Sequence, residues 1–209
     1  RRLRILGPVG APDTLIALAI AEFNLPHYFS DEMLDQAQGA SLPDKKGRDD
    51  IRSIPLVTID GEDAKDFDDA VFAEPAADGG WRLIIAIADV AYYVGENSAL
   101  DTEARLRGNS VYLPGTVIPM LPEALSNGLC SLRPEEDRAC LAVEIFIDAK
   151  GKKTSHKFLR GLMRSSARLT YTQVQQVMDG LLDEEDLKVP AGSLHHLIAV
   201  FSILKKARD

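Results

Sequence analysis

"IPLVTIDGEDAKDFDDAVF", residues 54–72, decides how this chain is read. The β-branched run IPLVTI (54–59) ends at Asp60, and a second short strand, AVFAE (70–74), follows, so the acids between them occupy a loop joining two strands. Within residues 58–70 six carboxylates (Asp60, Glu62, Asp63, Asp66, Asp68 and Asp69) face a single cation, Lys65. Two unit charges about 5 Å apart repel by roughly 3 kcal/mol at an effective dielectric of about 20, so the crowding is costly. Asp60 ends a strand and can project from the sheet edge, Gly61 permits a turn, and Phe67 is placed as an apolar anchor. In an extended segment Asp66 and Asp68 share a side while Asp69 opposes them, so the three converge only if the chain bends there.

The surrounding sequence describes an α+β fold: a mixed sheet with flanking helices. Downstream, PAADGG turns the chain into WRLIIAIADVAYYV (81–94), whose continuous apolarity predicts a strand buried on both faces. LDTEARLRG (100–108) predicts a helix closed by Gly108, and the three prolines of VYLPGTVIPMLPEAL predict an extended, irregular segment. LAVEIFID alternates, AKGK turns, and TSHKFLRGLMRSSARL (154–169) returns as one long strand of a hairpin. Thr170 with Gln173 forms a capping box, and Ser193 is placed as the cap of a last amphipathic helix. Upstream, APDTLIALAIAEFNL reads as a helix capped by Asp13 or Thr14, and residues 26–53 as a surface connector with one short helix.

The chain has 209 residues, 45% of them hydrophobic, enough for a real core. Its longest apolar stretches are too short for a membrane span and each carries an acid, so no membrane partner is expected. Cys130 and Cys140 stand without CxxC spacing or His neighbours, which argues against zinc and a disulfide framework and fits a reducing cytoplasm. Residue 1 is Arg and no leader follows, so a piece of a longer protein is expected. The net charge of −8 would ordinarily disfavour nucleic acid, an objection that weakens if the acids hold cations.

An aspartate cluster without His or Cys favours Mg²⁺, with Mn²⁺ as the substitute, over Zn²⁺. Two such ions about 4 Å apart can activate water and stabilise the leaving oxygen in phosphodiester hydrolysis. The spacing does not fit a Ca²⁺ loop, lacking a glycine at the sixth and a glutamate at the twelfth position. A solvated acidic surface loop stays open beside this reading. Elsewhere, Tyr92, Tyr93, Cys130 and Asp89 are read as packing residues, and His195 and His196 as surface residues without a partner. Arg105, Arg107, Arg164 and Arg168 are phosphate contacts or ion-pair partners.

IPLVTIDGEDAKDFDDAVF resembles the signature of the RNB catalytic domain of the ribonuclease II and ribonuclease R family, closest to its bacterial ribonuclease R branch. The likeness continues through WRLIIAIADVAYYV, LDTEARLRGNSVYLPGTVIPMLPEALSNGLCSL and SSARLTY. It implies that residues 51–209 are the N-terminal portion of an RNB domain, residues 1–9 the tail of a cold-shock (OB-type) domain, and residues 10–50 a connector. It further implies a processive hydrolytic exoribonuclease that acts on single-stranded or structured RNA from the 3′ end with Mg²⁺ and releases nucleoside 5′-monophosphates. By resemblance, Asp60, Asp66 and Asp69 are metal ligands, Asp68 is the most critical acid, and Tyr112 packs on the 3′-terminal nucleotides; Tyr171 matches another aromatic of the family. The family pattern continues with a transition-state arginine and an S1-type domain that these residues lack, so weak or no activity is expected of this stretch by itself. A non-catalytic RNA-binding or protein-interaction module is the alternative.

Overall fold

The computed structural model describes residues 5–208. In chain order its elements are α1 (Pro12–Glu22), α2 (Asp31–Gln38), β1 (Asp49–Asp50), β2 (Val57–Asp60), β3 (Asp69–Pro75), β4 (Trp81–Ala88), α3 (Val90–Tyr93), α4 (Ala99–Arg107), β5 (Val111–Leu113), β6 (Thr116–Ile118), β7 (Asp137–Ile147), β8 (Lys153–Arg164), β9 (Ala167–Thr170), α5 (Tyr171–Met178) and α6 (Ser193–Arg208). The fold is α+β, as expected. The chain divides into two compact units, Arg1–Ala40 with Tyr93–Ser126, and Ser41–Tyr92 with Asn127–Asp209. Part of the strand expected over residues 1–9 lies outside the described residues, and residues 5–9 are not strand.

The larger unit carries a seven-stranded mixed sheet in the order β1-β8-β7-β4-β3-β2-β9. Strands β3, β4, β7 and β8 form an antiparallel meander, whereas β2 pairs in parallel with β9 from Val57↔Ala167 to Asp60↔Thr170. The expected single strand over 154–169 is therefore two strands. Ser165 and Ser166 break it: Ser165 Oγ donates to the Ala167 carbonyl, and the Ser166 amide donates to Leu56 rather than into the β7 ladder.

That break has a geometric consequence. Five strand spacings separate β8 from β9 in the sheet order, about 24 Å if the sheet were flat. Two residues link them, and three Cα steps reach at most about 11 Å. The sheet must curl until β9 lies near the end of β8. Among the described residues, Val57, Leu169, Val177 and Leu194 join β2 and β9 to α5 and α6, and Val200 of α6 packs with Ala73, Leu83 and Ile147 of the sheet.

The strand predicted over 81–94 ends at Ala88, where α3 begins after Asp89. Asp89 is wholly buried and receives Arg48 Nη2 at 2.8 Å and Arg160 Nε at 2.8 Å. Burial alone would push its carboxyl up; the bonds from Arg160 and Arg48 outweigh it and hold the carboxyl below its ordinary 3.8. An ion pair in the middle of an apolar run turns the chain out of the sheet, with the Tyr92 amide closing on the Asp89 carbonyl. Tyr92 lies under the Arg48 guanidinium at 5.1 Å, and Tyr93 is buried, so both tyrosines pack as expected.

In the smaller unit α1 starts at Pro12 rather than behind an Asp13 or Thr14 cap; Ala11 precedes it without a side-chain cap, and Pro12 takes the position where no amide is needed. Ser30 and Ser98 cap α2 and α4. The helices meet where Gln36 accepts the Leu100 amide, with Met33, Ala37 and Leu100 buried. Arg107 ties the unit together, donating to the Tyr28 and Pro119 carbonyls and to Glu103, and stacking 4.0 Å over Phe29. The proline-rich segment expected to be irregular contains a regular hairpin, β5–β6, turned by Pro114 and by Gly115 at φ 75°.

At the other end of the chain, Ser193 is the first residue of α6 and not its cap. Buried Glu184 supplies that function, accepting the Leu194 amide at 2.7 Å and pairing with His195. His195 thus has a partner that the sequence did not reveal. His196 stands edge-on to Trp81.

Asp89→Asn leaves buried Arg48 without its counter-charge and is expected to cost about 3–5 kcal/mol, read in denaturant melts. Because the Asp89 pKa is depressed on folding, the stabilisation is present above the ordinary carboxylate value and is lost as pH falls below about 4. The variant's disadvantage therefore shrinks on acidification.

Candidate active site

Strand β2 delivers Asp60 at its last residue, and β3 begins with Asp69. The loop between them is fixed through its backbone. The Ala64 amide bonds the Gly61 carbonyl in a turn. Phe67 gives its amide to Ser131 Oγ at 3.1 Å and receives the Leu132 amide on its carbonyl at 2.8 Å. The Ala88 amide extends the β3–β4 ladder onto the Asp68 carbonyl at 3.0 Å. Phe67, expected as an apolar anchor, is only half-buried, with the Arg168 guanidinium 5.6 Å from its ring centre. Backbone bonds hold the loop more than its phenyl ring does.

The carboxylates act on one another. Asp60 is half-buried, and its Oδ2 is buried without a hydrogen bond. Burial raises its pKa first, then Asp69; Arg168 pulls the other way, and Asp66 and Asp68 add smaller upward pushes. Asp68 keeps solvent access as a residue, yet packed protein on one side desolvates its carboxyl and raises its pKa, with Asp66 and Asp69 adding to the rise. The structure thus brings Asp60, Asp66, Asp68 and Asp69 into one electrostatic neighbourhood. It does not set them as a closed cage: among the described residues no three His, Cys, Asp or Glu stand in a metal-binding arrangement.

A hard divalent cation fits this donor set. All four groups are carboxylates, one buried oxygen lacks a donor, and the dominant unrelieved charge is negative. Mg²⁺ retains several waters and needs only one or two protein carboxylates beside a substrate phosphate, so a closed protein cage is not required.

Of the four arginines weighed as phosphate contacts, three are committed elsewhere: Arg105 to Asp101, Arg107 to Glu103 and Arg164 to Asp137. Arg168 belongs to the site, its Nη2 donating to the Gly61 and Glu62 carbonyls at 2.6 and 2.7 Å. Tyr112 lies in the other compact unit, on β5, and is 67% exposed. Tyr171 opens α5 and is also exposed, directly after the Thr170 capping box that the sequence predicted. Sequence reasoning missed Ser131 as part of the site. Its signal was a polar residue enclosed by the apolar positions of SNGLCSL. Cys130 beside it is buried and pushed up to about 12, by burial first and then by Asp68, consistent with a small packed hydrophobe.

A profile of the RNB domain matches residues 48–209. The chain belongs to the RNB domain family. Among RNB proteins, it is 48% identical over 214 residues to ribonuclease R of Vibrio cholerae, covering 99% of this chain and 26% of that protein. The chain spans about a quarter of the length of this relative. The RNB fold superposes on Mycoplasma genitalium RNase R in complex with ribose-methylated single-stranded RNA with a TM-score of 0.89 at 32% identity, over 99% of this chain and 32% of the other. A second structure of that RNase R, in complex with double-stranded RNA, gives the same score and identity over 99% and 37%.

For a carboxyl whose pKa is raised on folding, the folded state holds the proton more tightly, so stability falls as pH rises through the window above the ordinary 3.8. Asp68→Asn removes that cost. Calorimetry in chelator at pH 7 is expected to show a higher midpoint, the gain vanishing below about pH 4. A lowered midpoint at pH 7 would mean that Asp68 is held by favourable partners.

Proposed function

We propose that this chain carries the acidic part of the active site of a processive 3′-to-5′ hydrolytic exoribonuclease, which uses Mg²⁺, or Mn²⁺ in its place, and releases nucleoside 5′-monophosphates in the cytoplasm. The observation that carries the reading is the mutual electrostatic contact of Asp60, Asp66, Asp68 and Asp69, with a buried Asp60 oxygen that has no donor, in a chain of the RNB family. The RNA complexes of the Mycoplasma genitalium relative support RNA as the ligand, both single- and double-stranded.

In this reading Asp60, Asp66 and Asp69 hold the metal and Asp68 works beside it. The bound ion supplies a Lewis acid and an activated water for phosphodiester cleavage. The chain's own contribution is positioning. The β2–β9 pairing fixes Asp60, the β3–β4 ladder fixes Asp68 and Asp69, and the loop between carries Asp66. Carboxylates that hold a cation do so ionised, so cation binding opposes the upward push that burial and neighbouring acids exert on Asp60 and Asp68. Tyr112 offers an exposed ring on which a base can stack without regard to sequence, as an enzyme that digests any RNA requires. Among the described residues no helix is long and apolar enough to cross a membrane.

A non-catalytic RNA-binding role is the second reading, and the RNA complexes of the Mycoplasma genitalium relative support RNA as the ligand in either case. One experiment separates the two. The full-length protein is incubated with 3′-labelled and 5′-labelled single-stranded RNA and Mg²⁺, and the products are resolved. Mononucleotides are expected, and Asp68→Asn should lower turnover by about 100-fold or more while RNA binding survives. RNA bound without mononucleotide release would count for the non-catalytic role, and turnover untouched in the variant would overturn the part given to Asp68.

A further inference from the structure

Four neighbouring carboxylates on a loop would relax apart unless the backbone prevented it. Near its start the loop is held by Arg168, whose Nη2 bonds the carbonyls of Gly61 and Glu62. Farther along, beside the bonds from the Leu132 and Ala88 amides, a single hydroxyl spans Asp66. Ser131 is completely buried. Its Oγ accepts the Phe67 amide at 3.1 Å and donates to the Lys65 carbonyl at 2.8 Å, bridging the residues on either side of Asp66. Ser131 is itself fixed: its carbonyl receives Nε of buried Arg138 at 2.7 Å, and that guanidinium also bonds the Asp137 carbonyl and Glu136.

From this geometry we infer that Ser131 is a positioning residue for the acidic site, setting the direction of Asp66 and the distance of Asp66 and Asp68 from Asp60. The inference rests on the cation reading above. A serine suits the place because one small hydroxyl both donates and accepts. The Lys65 carbonyl and the Phe67 amide are thereby satisfied together, and the peptide units flanking Asp66 cannot rotate independently. Ser131 stands clear of the reacting groups: it contacts the loop backbone and no carboxylate. Its effect is therefore on the affinity for the cation and on turnover, not on RNA capture. Outer partners of metal ligands carry effects of this kind, about 10–100-fold in affinity or activity when removed.

The test uses the full-length protein and Mn²⁺ alone as the probe, its binding followed by loss of the free-ion electron paramagnetic resonance signal. Ser131→Ala is expected to weaken Mn²⁺ binding by about 10-fold and to lower kcat with KM for RNA unchanged. Ser131→Cys keeps the shape of the side chain and replaces the hydroxyl with a weak donor and acceptor. It is expected to weaken Mn²⁺ in the same direction, and it carries the test if the alanine variant does not fold. Wild-type Mn²⁺ affinity in the folded variants would overturn the inference, as would a joint change of kcat and KM without any change in Mn²⁺ affinity. Asp60→Asn separates the two levels. If it abolishes Mn²⁺ binding while the Ser131 variants bind normally, only the role of Ser131 falls. If it leaves binding intact, the cation reading falls and takes this inference with it.

Discussion

Four residues of β2 lie in parallel register with four of β9, and Asp60 sits opposite Thr170 at the end of that register. Parallel strands cannot be joined by a tight turn, so a long path must separate them. Here that path is the whole meander of β3, β4, β7 and β8, and the curl it forces brings the last strand back beside the second. Everything at the acidic site depends on this return. β9 supplies Arg168 to the loop, Thr170 to the cap of α5, and Leu169 to the core beneath.

The loop shows how a fold can hold like charges close. Among the described residues Arg168 lowers the Asp60 pKa against burial and Asp69, and the rise at Asp68 comes from burial with Asp66 and Asp69. What holds the arrangement is its backbone, whose amides and carbonyls are satisfied by Ser131, Leu132 and Ala88 and, near the start of the loop, by Arg168. Asp89 shows the opposite solution. It is more deeply buried than any of the four, yet two guanidinium groups keep it ionised. One acid is neutralised from within the chain and serves structure, whereas Asp60 keeps a buried carboxylate oxygen without a hydrogen bond.

Much of this was legible because it is local. The strands around the acidic stretch, the helix closed by Gly108, the hairpin of β7 and β8 and the Thr170 box all follow from period, turn chemistry and capping over a few residues. What escaped depends on partners distant in sequence. The apolar run from Trp81 stops at Asp89 because Arg48 and Arg160 arrive from elsewhere. The strand from Lys153 breaks at Ser165 because Leu56 takes the next amide. The cap of α6 is a glutamate nine residues upstream of Ser193, and the restraint on Asp66 is a serine more than sixty residues away. The prolines of VYLPGTVIPMLPEAL hid a hairpin that its Pro-Gly pair encodes. The acids themselves were found, but their mutual approach could not be read from alternation, because a bend in the loop decides it.

Strand β8 has twelve residues, yet among the described residues β1 pairs with only Gly161 and Leu162 on its outer side. The rest of that border exposes amides and carbonyls to water, together with the 75% exposed ring of Phe158. A bare, apolar strand of this length would invite another molecule to add itself to the sheet. Lys153 and Lys157 punctuate it, so two copies approaching border to border would bring like charges together before their backbones could bond. The same cations that make this margin soluble make it self-repelling, a safeguard against fibrillar stacking written into one strand.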